Sequence, residues 1–174
     1  SDFVRPEQIN ENLKETMAKI QSGETTHLNG VLLYGEKGLP EFYEKFGYTT
    51  IWQDSKKADE AINQITMAWE NGLSPNDYHL EAIKKLQNSK NADDQVIFDI
   101  LLSDGLMEYG YNLKNGKLDP KSLDAAWNFP ERHFADDAME QFIASINNNQ
   151  LKTFMEGLPP QIYLYQVIRE SLTN

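Results

Sequence analysis

The segment from Asp93 to Asn115 constrains the fold more than any other, because it reads as a helix that must be covered twice. Phe98, Leu102, Leu106, Tyr109 and Leu113 recur at helical spacing and form one apolar stripe. Val96, Ile100, Met107 and Tyr111 form a second stripe well round the axis. A helix apolar on two faces packs on two faces, so the other elements are expected to surround this one. Asp99 with Ser103, and Asp104 with Glu108, stand four residues apart on what is left of the circumference. Gly116 supplies the stop.

Shorter amphipathic segments flank it. From Pro6 to about Gln21, the residues Ile9, Leu13, Met17 and Ile20 share a helical face. Gly23 to Asn29 reads as a loop, and Val31-Leu32-Leu33-Tyr34 is an apolar patch too short to assign. Leu39-Pro40-Glu41-Phe42-Tyr43 opens a short helix that Gly47 ends. Tyr48-Thr49-Thr50-Ile51-Trp52 is β-branched and aromatic, as an edge strand or a plain connector would be. Asp54-Ser55 can cap a helix whose core face is Ala58, Ala61, Ile62, Ile65, Ala68 and Trp69.

The sharpest punctuation comes next, at Trp69-Glu70-Asn71-Gly72-Leu73-Ser74-Pro75-Asn76-Asp77-Tyr78-His79. Gly72 fits the left-handed residue after a helix, and Leu73 can fold back on the last turn. Ser74 can cap, Pro75 takes a first helical position and Asp77 can close a capping box. A shorter helix follows on Leu80, Ile83 and Leu86. Beyond the central helix, Asp119-Pro120 can start another short helix, and Trp127, Phe129 and Pro130 make an irregular connection. Asp136 or Asp137 is expected to cap a helix on Ala138, Met139, Phe142, Ile143 and Ile146. Leu151, Phe154 and Met155 add a turn or two, and Tyr163, Val167, Ile168 and Leu172 mark a last helix. The expected fold is all-α, a multi-helix domain around one long helix with at most one short extended segment. Residues 1–30 form an N-terminal helix and linker, packed as one unit with the helical domain of residues 31–174.

Composition narrows the function by exclusion. The 174 residues carry 27 acidic and 16 basic side chains, a net charge of -11. That balance opposes docking on nucleic acid or on anionic lipid. No apolar run approaches the roughly 20 residues that span a bilayer. No signal peptide is legible, and Ser1-Asp2 reads as a trimmed start. The absence of cysteine removes disulfides, thiolate metal sites and a thiol nucleophile from this chain.

Residues able to carry chemistry are scattered. His27, His79 and His133 have no i, i+4 partner for a metal, and His79 is expected to cap or pack. Asp104 is the best acid candidate, because it lies on an otherwise apolar helix; its simplest role is a hydrogen bond to a neighbouring element. Asp93-Asp94 and Asp136-Asp137 suit helix starts. Gly35-Glu36-Lys37-Gly38 lacks phosphate-loop spacing and reads as a turn. Tyr43, Trp52, Tyr78, His79 and Trp127 are the candidate contact surface. No catalytic, cofactor or metal residue is assigned.

Three ordered stretches carry a family resemblance. They are Leu39-Pro40-Glu41-Phe42-Tyr43 leading to Tyr48 and Trp52, then Gly72-Leu73-Ser74-Pro75-Asn76-Asp77-Tyr78-His79, then the central helix from Asp99 to Leu113 with Gly116-Lys117-Leu118-Asp119-Pro120 and Trp127. Together with Leu158-Pro159-Pro160, Tyr163 and Leu172, they resemble the scaffold domain of the large periplasmic L,D-transpeptidases that cross-link peptidoglycan. In that family a Ser-His-Gly-Cys motif supplies the nucleophile, and this chain has no such motif. The resemblance implies a non-catalytic scaffold in the periplasm or cell envelope. Its implied partners are a transpeptidase catalytic domain, in cis or in trans, and peptidoglycan. Two other readings stay open: a hydrolase with paired carboxylates around Asp104 in a solvent-open cleft, and a free-standing protein-binding adaptor.

Overall fold

The computed structural model describes residues 5–117 and 134–160. Helix α1 (Pro6–Gln21) begins with Pro6 in its first turn and buries the four predicted residues Ile9, Leu13, Met17 and Ile20. A small antiparallel hairpin follows, β1 (His27–Leu28) and β2 (Val31–Leu32), pairing His27 with Leu32 and Leu28 with Val31. Its turn is Asn29-Gly30, both at positive φ (48° and 75°), which is the two-residue turn that matches strand twist. The extended element therefore falls here. Residues 48–52 form a plain connector without strand pairing.

Helix α2 (Gly38–Lys45) ends as the sequence indicates. Gly47 has φ 66°, its amide donates to Glu44, and the Tyr48 amide reaches back to the Tyr43 carbonyl. Helix α3 (Ser55–Thr66) is capped by Asp54, whose carboxylate accepts the Lys56 and Lys57 amides. The chain then tightens into a 3-10 turn over Met67–Asn71. Three residues per turn instead of 3.6 shifts the phase of the helix. Ala68 stays buried while Trp69 swings out to 64% exposure, so Trp69 leaves the core face on which the periodicity placed it.

The corner at Gly72 closes as a Schellman motif. Gly72 sits at φ 75° and donates to Trp69, and Leu73 donates to Ala68. Pro75–Tyr78 forms a second 3-10 turn, in which the Ser74 carbonyl accepts the Asp77 amide and the Ser74 side chain makes no cap. Asp77 closes no capping box; its carboxylate holds Lys117. Helix α4 (Leu80–Leu86) leads to the 24-residue α5 (Ala92–Asn115), within a residue of its predicted span. Asn91 caps α5, and Asp93 and Asp94 occupy its first turn rather than the cap. Likewise Asp136 and Asp137 lie in the first turn of α6 (Asp136–Asn147), behind Ala135. Helix α7 (Leu151–Glu156) follows.

The architecture is mostly α, with α5 at the centre. Helices α1, α2, α3 and α4 and the second 3-10 turn all pack on it. From Phe98 to Leu113 every α5 residue is buried, so both predicted stripes are covered. Two glycines allow the close approach. A Cβ on Gly105 would collide with the Tyr78 carbonyl oxygen, and one on Gly110 would stand 2.7 Å from the Phe134 ring. The expected turn at Asp119-Pro120, the connection through Trp127, Phe129 and Pro130, and the last helix lie outside the described residues.

Candidate functional site

Buried polar groups need partners, and α5 buries several. Four of them hold the shell that surrounds the helix. Asp104, 1% exposed, accepts the backbone amides of Tyr34 at 3.0 Å and Gly35 at 2.7 Å, and its Oδ2 lies 2.7 Å from His79 Nε2. The sharp turn at Tyr34-Gly35 is thereby fixed to the middle of α5. Gly35 suits the spot: a Cβ there would sit 3.0 Å from Asp104 Oδ1. His79 has φ 68°, an unfavourable conformation for a side chain with a Cβ. Its ring stacks on Tyr34 at 5.2 Å between centroids.

The second socket is built on Asp99 and Ser103. Asp99 Oδ1 accepts the amides of Ile51 at 3.0 Å and Trp52 at 2.8 Å. Tyr43 donates its hydroxyl to Asp99 Oδ2 at 2.5 Å. Ser103 Oγ accepts the Trp52 indole N–H at 2.9 Å and lies 2.9 Å from the Tyr43 hydroxyl. Both carboxylate oxygens thus point at donors from α2 and from the 48–52 connector. Burial pushes the Asp99 carboxyl up to about 7, against the opposing pull of Tyr43 and the two amides. Burial, followed by the Asp99 charge, holds the Tyr43 hydroxyl well above its ordinary range.

Further along, Asn112 donates to the Tyr78 hydroxyl at 2.8 Å. Burial raises the Tyr78 hydroxyl to about 12, and the Asn112 hydrogen bond works against that rise. The Tyr78 and Tyr109 rings stand 5.2 Å apart, and Tyr109 in turn accepts from Asn71.

These contacts relocate the predicted contact residues. Tyr43, Trp52, Tyr78 and His79 are 0, 2, 1 and 6% exposed, so they do not form an open contact surface; they pack in the interior, with His79 at the edge of a groove. What they share is a hydrogen bond to a polar residue of α5, which orients each ring as it is buried. Trp127 lies outside the described residues. Among the described residues the large apolar groups that face solvent are Trp69, Leu32 (53%) and Tyr34 (36%); the periodicity put Trp69 on a core face and left the patch holding Leu32 and Tyr34 unassigned. Trp69 is exposed by a switch to 3-10 geometry, which leaves no mark in the residue pattern.

Chemically, the arrangement holds rather than reacts. Asp99 and Asp104 are buried and each is filled by donors from the chain itself, so they do not share a solvent-open cleft. The geometry expected of paired glycosidase acids is therefore not met by these two residues. Among the described residues no group of three potential metal ligands converges. No helix among them is long and apolar enough to cross a membrane. The Asp104 cluster does border one hollow, a groove of about 370 Å³ between the hairpin, the corner and α4, with His79 in its wall.

A protein of Haemophilus influenzae named "Putative L,D-transpeptidase" is 23% identical over 136 residues, covering 77% of this chain and 27% of that protein. The chain thus spans about a quarter of the length of that relative. No solved structure matches. The family described as "Scaffold domain" matches residues 37–172, most of the sequence, and the chain belongs to that family.

Proposed function

We propose that this chain is the non-catalytic scaffold of a cell-wall L,D-transpeptidase, acting in the periplasm or cell envelope. It supports the catalytic domain, in cis or in trans, and helps to orient peptidoglycan during cross-linking. Helix α1 and the hairpin belong to the same working unit as the matched region, since α1 packs on α2 and α5. One observation carries the reading beyond family membership: the acids of α5 that could have done proton chemistry are spent on holding the fold. An acid serving catalysis has to meet a substrate proton, and these two meet only donors of their own chain. A carboxylate hydrolase is correspondingly disfavoured.

The exposed side chains fit the supporting role. Trp69 offers exposed aromatic area of the kind that anchors contacts with another protein. The test is calorimetric titration of the purified chain with an L,D-transpeptidase catalytic domain from the same organism. Saturable binding is the expected result, and Trp69→Ala is expected to weaken it. Absence of binding overturns support of the catalytic domain. Retention of the chain on purified sacculi tests the orienting role separately.

A further inference from the structure

His79 sits at positive φ with its ring bonded to a buried acid, and the residue lines a groove. The Cδ2 edge faces α5, where it would lie 3.5 Å from a Cβ placed on Gly105, and Nε2 faces Asp104. Nδ1 is therefore on the far side of the ring, where no partner is found among the described residues. The Asp104 carboxylate only accepts, so the imidazole carries a proton on Nε2, and in the neutral ring Nδ1 is an acceptor. A non-glycine residue at φ 68°, with its ring pinned by a carboxylate and stacked on Tyr34, is the kind of over-determined strain that accumulates at functional positions.

The groove beside it has the chemistry of one small group. Its volume of about 370 Å³ lies in the range that takes a small ligand, roughly 300 to 1,000 Å³. Val31, Ala82 and Leu86 supply apolar wall, and Asn29 and Asn76 supply side-chain amides. Glu81 and Lys85 also line it, but they pair with each other at 3.4 Å, so the groove offers no net charge. We propose that this groove binds an uncharged secondary amide bearing a small aliphatic group. In this arrangement the amide N–H donates to His79 Nδ1, the carbonyl accepts from Asn29 or Asn76, and the aliphatic group rests on Val31, Ala82 and Leu86. Two sources carry that chemistry, the acetamido group of an amino sugar and a peptide bond beside a small residue. The proposal deepens the orienting role given above and rests on that reading for its biological sense.

The test uses the ¹⁵N-labelled chain, with imidazole and backbone nitrogens followed by NMR during titration. The probes are N-acetylglucosamine, N-acetylalanine methylamide and, as an amide-free control, glucose. The expected result is a saturable shift of His79 Nδ1 and of the Asn76 and Ala82 amides with an amide probe, and none with glucose. Response to one amide probe alone assigns the source. Ala82→Trp, which fills the groove, is expected to abolish the shift, and Asn76→Ala, an exposed change, to weaken saturation several-fold. No saturable shift with either amide, an equal shift with glucose, or a response untouched by both substitutions overturns the proposal. Such a failure leaves support of the catalytic domain to its own titration, which involves neither probe.

Discussion

Asp99 and Asp104 are two aspartates of one helix, and each serves as a socket for segments distant in sequence. The Asp104 carboxylate holds donors 69 and 70 positions upstream and His79 25 positions upstream. Removing an acceptor costs more than the hydrogen bonds it made, since the orphaned donors stay buried. Asp104→Ala is therefore expected to lower stability by about 3–5 kcal/mol, and Asp104→Asn, which keeps one acceptor oxygen, by clearly less. Urea denaturation of both variants measures the difference.

Asp99 makes stability depend on pH in a definite direction. In the folded chain its carboxyl keeps the proton up to about 7, whereas the unfolded chain releases it near the ordinary value of 3.8. Between those values the folded state binds more protons than the unfolded state, so this group's contribution falls as pH rises. It is fully present below the unfolded value and lost as pH climbs through about 7. Asp99→Asn cannot titrate and still offers an oxygen to the Ile51 and Trp52 amides. The stability difference between parent and variant, measured across that pH window, is expected to move against the parent as pH increases. A difference that stays flat contradicts the assignment.

At the scale of elements, the close approach of α5 to the corner is the feature most sensitive to one atom. Exchanging glycine for alanine inside a helix ordinarily gains roughly 0.5–1 kcal/mol. At Gly105 the added Cβ meets a backbone carbonyl, which cannot step aside as a flexible side chain would. Overpacking of about 1–3 kcal/mol then outweighs the helical gain, so Gly105→Ala is expected to lower the thermal midpoint. At the start of the same helix, Asn91→Ala removes an acceptor for two amides and is expected to cost about 1 kcal/mol.

The elements also show what the residue pattern could reveal. Helix α1, the Gly47 and Gly72 stops and the span of α5 were legible, because periodicity and caps are local signals. The polar pairs on α5 were legible as positions, but their partners were not, since nothing local links Asp104 to Gly35. Asn29-Gly30 carried a readable hairpin signal that the shortness of its strands obscured. Tyr43, Trp52 and Tyr78 were conspicuous as aromatics, yet an aromatic reads alike whether it faces solvent or a buried acceptor. Trp69 was misplaced because the change from α to 3-10 geometry follows from the tertiary corner.

For the whole molecule, the design is a central helix whose apolar surface is packed and whose polar exceptions are pinned. Opening α5 means breaking both sockets along with the core. Its amides from Phe98 to Leu113 are therefore expected to exchange hydrogen most slowly, near the limit set by global unfolding, and those of the hairpin sooner. A molecule organised in this way spends Asp99 and Asp104 on its own fold, which is what the proposed scaffold role requires of them. The most direct test of that claim is to incubate the purified chain with muropeptides and follow their masses over time. The account predicts no product above a heat-killed control; accumulation of cross-linked or cleaved muropeptides by this chain alone would contradict it.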